Sequence, residues 1–195
     1  MTSPHPADPG RADPSPTAPA EASYPPTPGQ DGQFERHGVM WWVNDHPFPY
    51  LHALAAMEER VAEIHAGTAP DIIMVMENTE IYTAGTSANR QDLLEPERFP
   101  VFDAGRGGQF TYHGPGQRIA YVMLNLKTRK PDVRAFVQDM ESWITAALAR
   151  FGVKGETRDG RIGIWVARGT DQRGRVKEDK IAAIGVRLRK WVSFH

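Results

Sequence analysis

The sequence predicts an α+β fold with helices covering one sheet, and three observations carry that reading. Two long amphipathic stretches lie far apart, short strand-like runs cluster between and after them, and neither a repeat nor a heptad array is present. In chain order, Val39 to Val43 reads as a short strand. From Tyr50 to Ala66, Leu51, Leu54, Ala55, Val61 and Ala62 recur at helical spacing, and Gly67 and Pro70 end the stretch. Ile72 to Met76 is a continuous apolar run of strand length, the pattern of a strand buried on both faces. Ile81 to Thr83 is a short extended piece before Gly85, and Ile119 to Leu126 is another strand-like run.

Pro131 to Phe151 is the clearest helix, with Val133, Phe136, Val137, Met140, Ile144, Ala147 and Leu148 on one face and Gly152 at its end. Ile162 to Ala167 reads as a strand, Gln172 to Asp179 as a charged loop, and Lys180 to Leu188 as a further strand flowing into Trp191 to His195. Residues 1–33 hold nine of the sixteen prolines and almost no large apolar side chains. Such a segment cannot bury enough surface to offset its ordering entropy, so a disordered tail is expected there and one domain over 34–195.

Bulk properties exclude several classes. A formal net charge of -1 argues against electrostatic capture of nucleic acid. No apolar run approaches the roughly 18 residues of a membrane span, and the N-terminus lacks the apolar stretch of a secretory signal, so a cytoplasmic protein is expected. The seven histidines, at 5, 37, 46, 52, 65, 113 and 195, lack short metal-ligand spacing, and no metal site is expected. Cysteine is absent, which removes disulfides, thiolate metal sites and a cysteine nucleophile from these 195 residues.

The chemistry concentrates in Arg106-Gly107-Gly108-Gln109-Phe110-Thr111-Tyr112-His113-Gly114-Pro115-Gly116-Gln117. Glycine serves where backbone turns left-handed or meets a ligand closely, and proline stiffens the turn. The loop thus offers backbone N–H groups, one permanent cation and one imidazole on a rigid mount, suited to a small polar or acyl-carbonyl group. It is not a dinucleotide fingerprint, because Phe110 stands at the third glycine position, and no P-loop is present. Lys180 opens the run Lys180-Ile-Ala-Ala-Ile-Gly-Val186. It serves either as a strand-end cation reaching water or as the mouth of a pocket floored by Ala183, Ile184 and Gly185, where small residues admit a ligand.

Taken with Thr83-Ala84-Gly85-Thr86, Tyr121, Leu126 and Gly163-Ile164-Trp165-Val166, these motifs resemble the lipoyl(octanoyl) transferase family over about Val39 to His195. The resemblance implies the mixed-sheet fold of the biotin/lipoate ligase catalytic domain. It implies transfer of an octanoyl group from octanoyl-acyl carrier protein to a lysine of lipoyl domains, through an enzyme cysteine thioester and without a cofactor. The acceptors it implies are 2-oxoacid dehydrogenases and the glycine cleavage H protein. Arg106, Gly107, Gly108, Gln109, Phe110, Thr111, Tyr112 and His113 would line the acyl pocket, with Ala183, Ile184 and Gly185 as its second wall. Lys180 would be the basic partner of a cysteine, since an ammonium favours the thiolate and the neutral amine can then serve as base.

Two departures stand out. Asn78 follows Glu77 where the family usually has Glu-His, and an amide bonds without carrying charge. The resemblance also implies a segment beyond the histidine matching His195, ending in a Pro-Cys-Gly turn, so a longer domain is expected. The other readings are an ATP-dependent lipoate or biotin ligase and a non-catalytic relative that binds acyl chains or carrier domains. Lys127, Arg129, Lys130 and Arg134, and then Arg187, Arg189 and Lys190, form basic clusters that are either solvated faces or docking patches for acidic carrier domains.

Overall fold

A computed structural model describes residues 32–195. The expected tail therefore lies outside the described residues except for Gly32 and Gln33. Gln33 already pairs with Trp42, in a strand β1 (Gln33–Arg36) that the sequence reading did not anticipate.

The central sheet has the order β1-β2-β3-β7, from β2 (Val39–Phe48), β3 (Ile72–Asn78) and β7 (Ile119–Met123). It is mixed: β2 runs parallel to β3, with Met40 opposite Ile72, and β7 runs antiparallel to β3, with Ile72 opposite Met123. A strand flanked by strands and covered on both faces should be apolar, and β3 is from Ile72 to Met76. Ile72, Met74 and Met76 face helix α1 (Tyr50–Ala66), whose Ala53, Met57, Val61 and Ile64 join them in one core. Ile73 and Val75 face the opposite way, toward helix α2 (Val133–Ala149) and its Phe136 and Met140. The two helices thus lie on opposite faces of the sheet.

Helix ends follow local chemistry. Gly67 closes α1 at φ 75, the left-handed geometry that terminates helices. Asp132 caps α2 by accepting from Ala135 N at 3.0 Å. The expected helix from Pro131 to Phe151 is accordingly shorter at both ends.

Around this unit lie smaller sheets. One has the order β5-β4-β6, from β4 (Ile81–Ala84), β5 (Val101–Asp103) and β6 (Thr111–His113). Another has the order β10-β9-β8, from β8 (Glu156–Arg158), β9 (Arg161–Thr170) and β10 (Val176–Ala182). Two expectations change here. The charged stretch from Gln172 is not all loop, because Val176 to Asp179 already pairs with β9. The strand expected over Lys180 to Leu188 breaks at Ala182; Ala183 to Val186 is irregular, and Arg187–Arg189 is a separate strand β11 that pairs with β12 (Val192–Phe194). Glycine at 185, with no side chain to pack, marks that interruption. β5 and β8, three residues each, were too short to show a period. Among the described residues no helix is long and apolar enough to cross a membrane.

Candidate active site

The small sheet β5-β4-β6 separates two chemistries by strand alternation. Thr83, Thr111 and His113 face inward, whereas Tyr82 and Tyr112 face outward, where Tyr112 donates to Glu80 and its ring sits 5.3 Å from that of Phe99. The expected lining from Arg106 to His113 is therefore split. Arg106, Thr111 and His113 point inward, Tyr112 lies on the outer face, and Gly107, Gly108 and Gln109 are exposed. Phe110 borders an outer cleft with Ala84, Gly85, Arg90 and Asp103.

Arg106 organises the inner side. The residue is only 6% exposed, and its guanidinium donates five hydrogen bonds. Nη1 reaches Gly107 O at 2.9 Å and Gln109 O at 3.2 Å; Nη2 reaches Thr83 O at 3.2 Å, Thr83 Oγ1 at 2.7 Å and Thr111 Oγ1 at 2.9 Å. The cation expected to meet substrate is thus spent on holding its own loop. Burial pushes its pKa down, but the ordinary value is so high that it stays charged.

The residues expected to form the second wall lie as follows. Gly185 lies on the Arg106 stem, where a Cβ would come within 2.7 Å of Cδ, and Gly107 N donates to Val186 O at 3.4 Å. Ile184 is half-buried and Ala183 exposed. Lys180 sits near the end of β10, opposite Trp165, with Nζ 5.4 Å from that ring and its stem against Gly163. Among the described residues it has no carboxylate partner, and partial burial lowers its pKa, the direction a lysine base requires.

Behind the loop lies a polar cluster in which Tyr50, Asn78, Thr83 and Tyr121 are buried and His113 and His195 half-buried. His113 Nε2 is 3.0 Å from Thr83 Oγ1, and His195 Nε2 is 2.6 Å from the Tyr50 hydroxyl. Asn78, fully buried, donates from Nδ2 to the Tyr121 hydroxyl at 2.7 Å, and its Oδ1 has no partner among the described residues. Burial, reinforced by Arg106, holds His113 down at about 4. Burial holds His195 at about 3, with Arg106, His113 and Arg187 adding to the effect. Tyr50 is raised to about 12 and Tyr121 is also raised, both by burial, so both stay protonated. Tyr50 and Thr83 were not singled out from the sequence as site residues. The available signal was that a tyrosine in an apolar run needs a partner for its hydroxyl.

These shifts set a pH dependence. A histidine whose folded value lies below its unfolded value of about 6.5 keeps the folded state less protonated, so stability falls as pH drops below that value. Each histidine contributes a slope of up to about 1.4 kcal/mol per pH unit between there and its folded value. Urea unfolding should therefore show a marked loss of stability from pH 7 to pH 5. His113→Gln should flatten that loss, and an unchanged slope would contradict the burial argument.

The basic clusters are partly neutralised. Arg129 pairs with Asp71 at 2.9 Å and Arg189 with Glu58 at 3.4 Å. Arg187 lies over Phe194, 5.0 Å from the ring centroid, and against the backbone of Gly105. Among the described residues no histidine, aspartate and glutamate cluster could hold a metal.

Residues 49–195 match the family model for the lipoyl protein ligase A/B catalytic domain. The chain is 61% identical over 155 residues to an octanoyltransferase of Parvibaculum lavamentivorans, covering 80% of this chain and 68% of that protein. It is 59% identical over 157 residues to an octanoyltransferase of Paramagnetospirillum magneticum, covering 80% of this chain and 72% of that one. The chain belongs to the octanoyltransferase family. A bipartite lipoate protein ligase from Thermoplasma acidophilum has the same fold at TM-score 0.53 and 14% identity, over 80% of this chain and 58% of that one. For this octanoyltransferase family member, the described cluster is the candidate site: an arginine-pinned loop, a facing glycine segment and two uncharged imidazoles.

Proposed function

We propose that the chain acts in octanoyl transfer for protein lipoylation, taking the group from octanoyl-acyl carrier protein and delivering it to a lysine of a lipoyl domain. The observation that carries this reading is the meeting of the Arg106 loop with Gly185 and Val186 in a chain so similar to octanoyltransferases. Acceptors would be the lipoyl domains of 2-oxoacid dehydrogenases and the glycine cleavage H protein. Arg187, free of a carboxylate partner among the described residues, supports an acidic carrier domain as donor.

The chemical route is acyl transfer in two steps. A thiolate attacks the donor thioester carbonyl and displaces the carrier thiol, forming an enzyme thioester. The acceptor amine then attacks that thioester, loses a proton to a base and leaves as the amide, regenerating the thiol. Lys180 supplies the ammonium that favours the thiolate and, once neutral, the base. These 195 residues contain no cysteine, so the thioester route needs a thiol that they do not carry.

That composition also favours a second reading, in which these residues bind the acyl donor without reacting. Intact-mass spectrometry after incubation with octanoyl-acyl carrier protein separates the two. The expected result is binding with no octanoyl adduct, and a covalent adduct would overturn the assignment of the nucleophile to a cysteine. ATP-dependent modification of a lipoyl domain with free lipoate would instead establish a ligase.

A further inference from the structure

His113 on β6 and His195, just past β12, lie close enough for charge on one to disfavour charge on the other, and each is bound at Nε2. Tyr50 is 2% exposed, and its hydroxyl proton has one acceptor among the described residues, His195 Nε2 at 2.6 Å. If the imidazole donated instead, that proton would be left buried without an acceptor, which costs about 1–3 kcal/mol. Thr83 is fully buried, and its Oγ1 already accepts from Arg106 at 2.7 Å. Its proton likewise has one acceptor, His113 Nε2 at 3.0 Å. The hydrogen-bond arithmetic places both ring protons on Nδ1. Neither Nδ1 has a protein partner among the described residues, and both rings are held neutral, so each presents a single fixed N–H donor.

Resting on the octanoyl-transfer reading, we propose that His113 and His195 form a paired Nδ1–H donor site for the carbonyl oxygen of the acyl thioester, with Thr83 and Tyr50 as their positioning residues. Two donors aimed at one oxygen polarise the carbonyl and stabilise the negative charge that develops when its carbon is attacked. Uncharged imidazoles do this without giving up a proton, so the oxygen stays an oxyanion and can reform the carbonyl when the thiol leaves. Arg106 fixes the hydroxyl of Thr83, and its charge disfavours protonation of both rings.

The chain's lack of a thiol makes the test direct, because a bound thioester is not consumed. Histidine 15N spectra of the full chain at pH 7 should show the Nδ1–H tautomer for both rings. Tyr50→Phe should release His195 from it and leave His113 unchanged, and Thr83→Val should do the reverse. S-octanoyl-pantetheine carrying a 13C carbonyl should bind with a downfield shift of that resonance. His113→Phe and His195→Phe should each reduce the shift and weaken binding about five- to tenfold. An Nε2–H tautomer in either wild-type ring would overturn the donor pair, and so would a bound thioester whose carbonyl resonance does not move. Both outcomes leave the octanoyl reading standing. Failure of the octanoyl thioester to bind at all would overturn that reading itself.

Discussion

Arg106→Ala should lower stability by about 3–5 kcal/mol and abolish acyl-donor binding. The guanidinium joins Thr83 on β4, Thr111 on β6 and the carbonyls of Gly107 and Gln109. Its removal leaves the carbonyl and hydroxyl of fully buried Thr83 without their donor and frees the exposed loop carbonyls of Gly107 and Gln109. The stem also packs against Gly185, so the second wall loses its support. Arg106→Lys should rescue little, because one ammonium cannot serve a planar fork directed at two sides of the loop. Urea unfolding gives the stability, and titration with S-octanoyl-pantetheine gives the binding. A variant that keeps wild-type values of both would show that the loop stands without its hub.

Gly85→Ala is expected to act on the same loop by steric means alone. A Cβ at position 85 would overlap Gly108 O and come within 2.8 Å of Arg106 Nη1. The obstacle is backbone and cannot rotate away. Three bonds cross this junction: Gly85 N to Gln109 O at 3.2 Å, Thr86 N to Arg106 O at 2.8 Å and Ser87 N to Gly108 O at 3.0 Å. Displacement of the loop strains all three, so the loss should reach the upper end of the about 1–3 kcal/mol usual for overpacking. Loop amides should exchange with solvent at least tenfold faster. If exchange at Gly107 and Gly108 were unchanged, the close approach would have no energetic consequence.

How much of this was legible in the sequence depended on whether the signal was local. α1 was read with its final bounds, which Gly67 marks locally. The apolar spacing named for it missed the buried face: Leu51, Ala55 and Ala62 are exposed, whereas Tyr50, Ala53, Met57, Val61 and Ile64 are buried. The two-faced burial of β3 was legible, since five apolar residues in succession have no solvent face to offer. The break after Ala182 was not, because a run of Ile, Ala and Val reads as strand until a neighbouring loop claims its backbone. β5 and β8 lacked the length for a pattern. In the site, the loop was conspicuous by composition, yet composition could not show that Arg106 faces inward and Tyr112 outward. Strand alternation decides that, and the register of Thr111 opposite Thr83 sets its phase. The bonds from Tyr50 to His195 and from Thr83 to His113 span 145 and 30 residues, separations that no local motif encodes.

The five bonds of one guanidinium also constrain how this protein can evolve. Thr83, Gly85, Gln109, Thr111 and Gly185 all meet the same side chain or its loop, so their substitutions share a partner and should not add. Once Arg106 is lost, a second change at Thr83 or Thr111 has less left to remove. While Arg106 remains, each such change is felt nearly in full. Sequence drift at these positions should therefore be concerted, with surviving lineages altering several together or none.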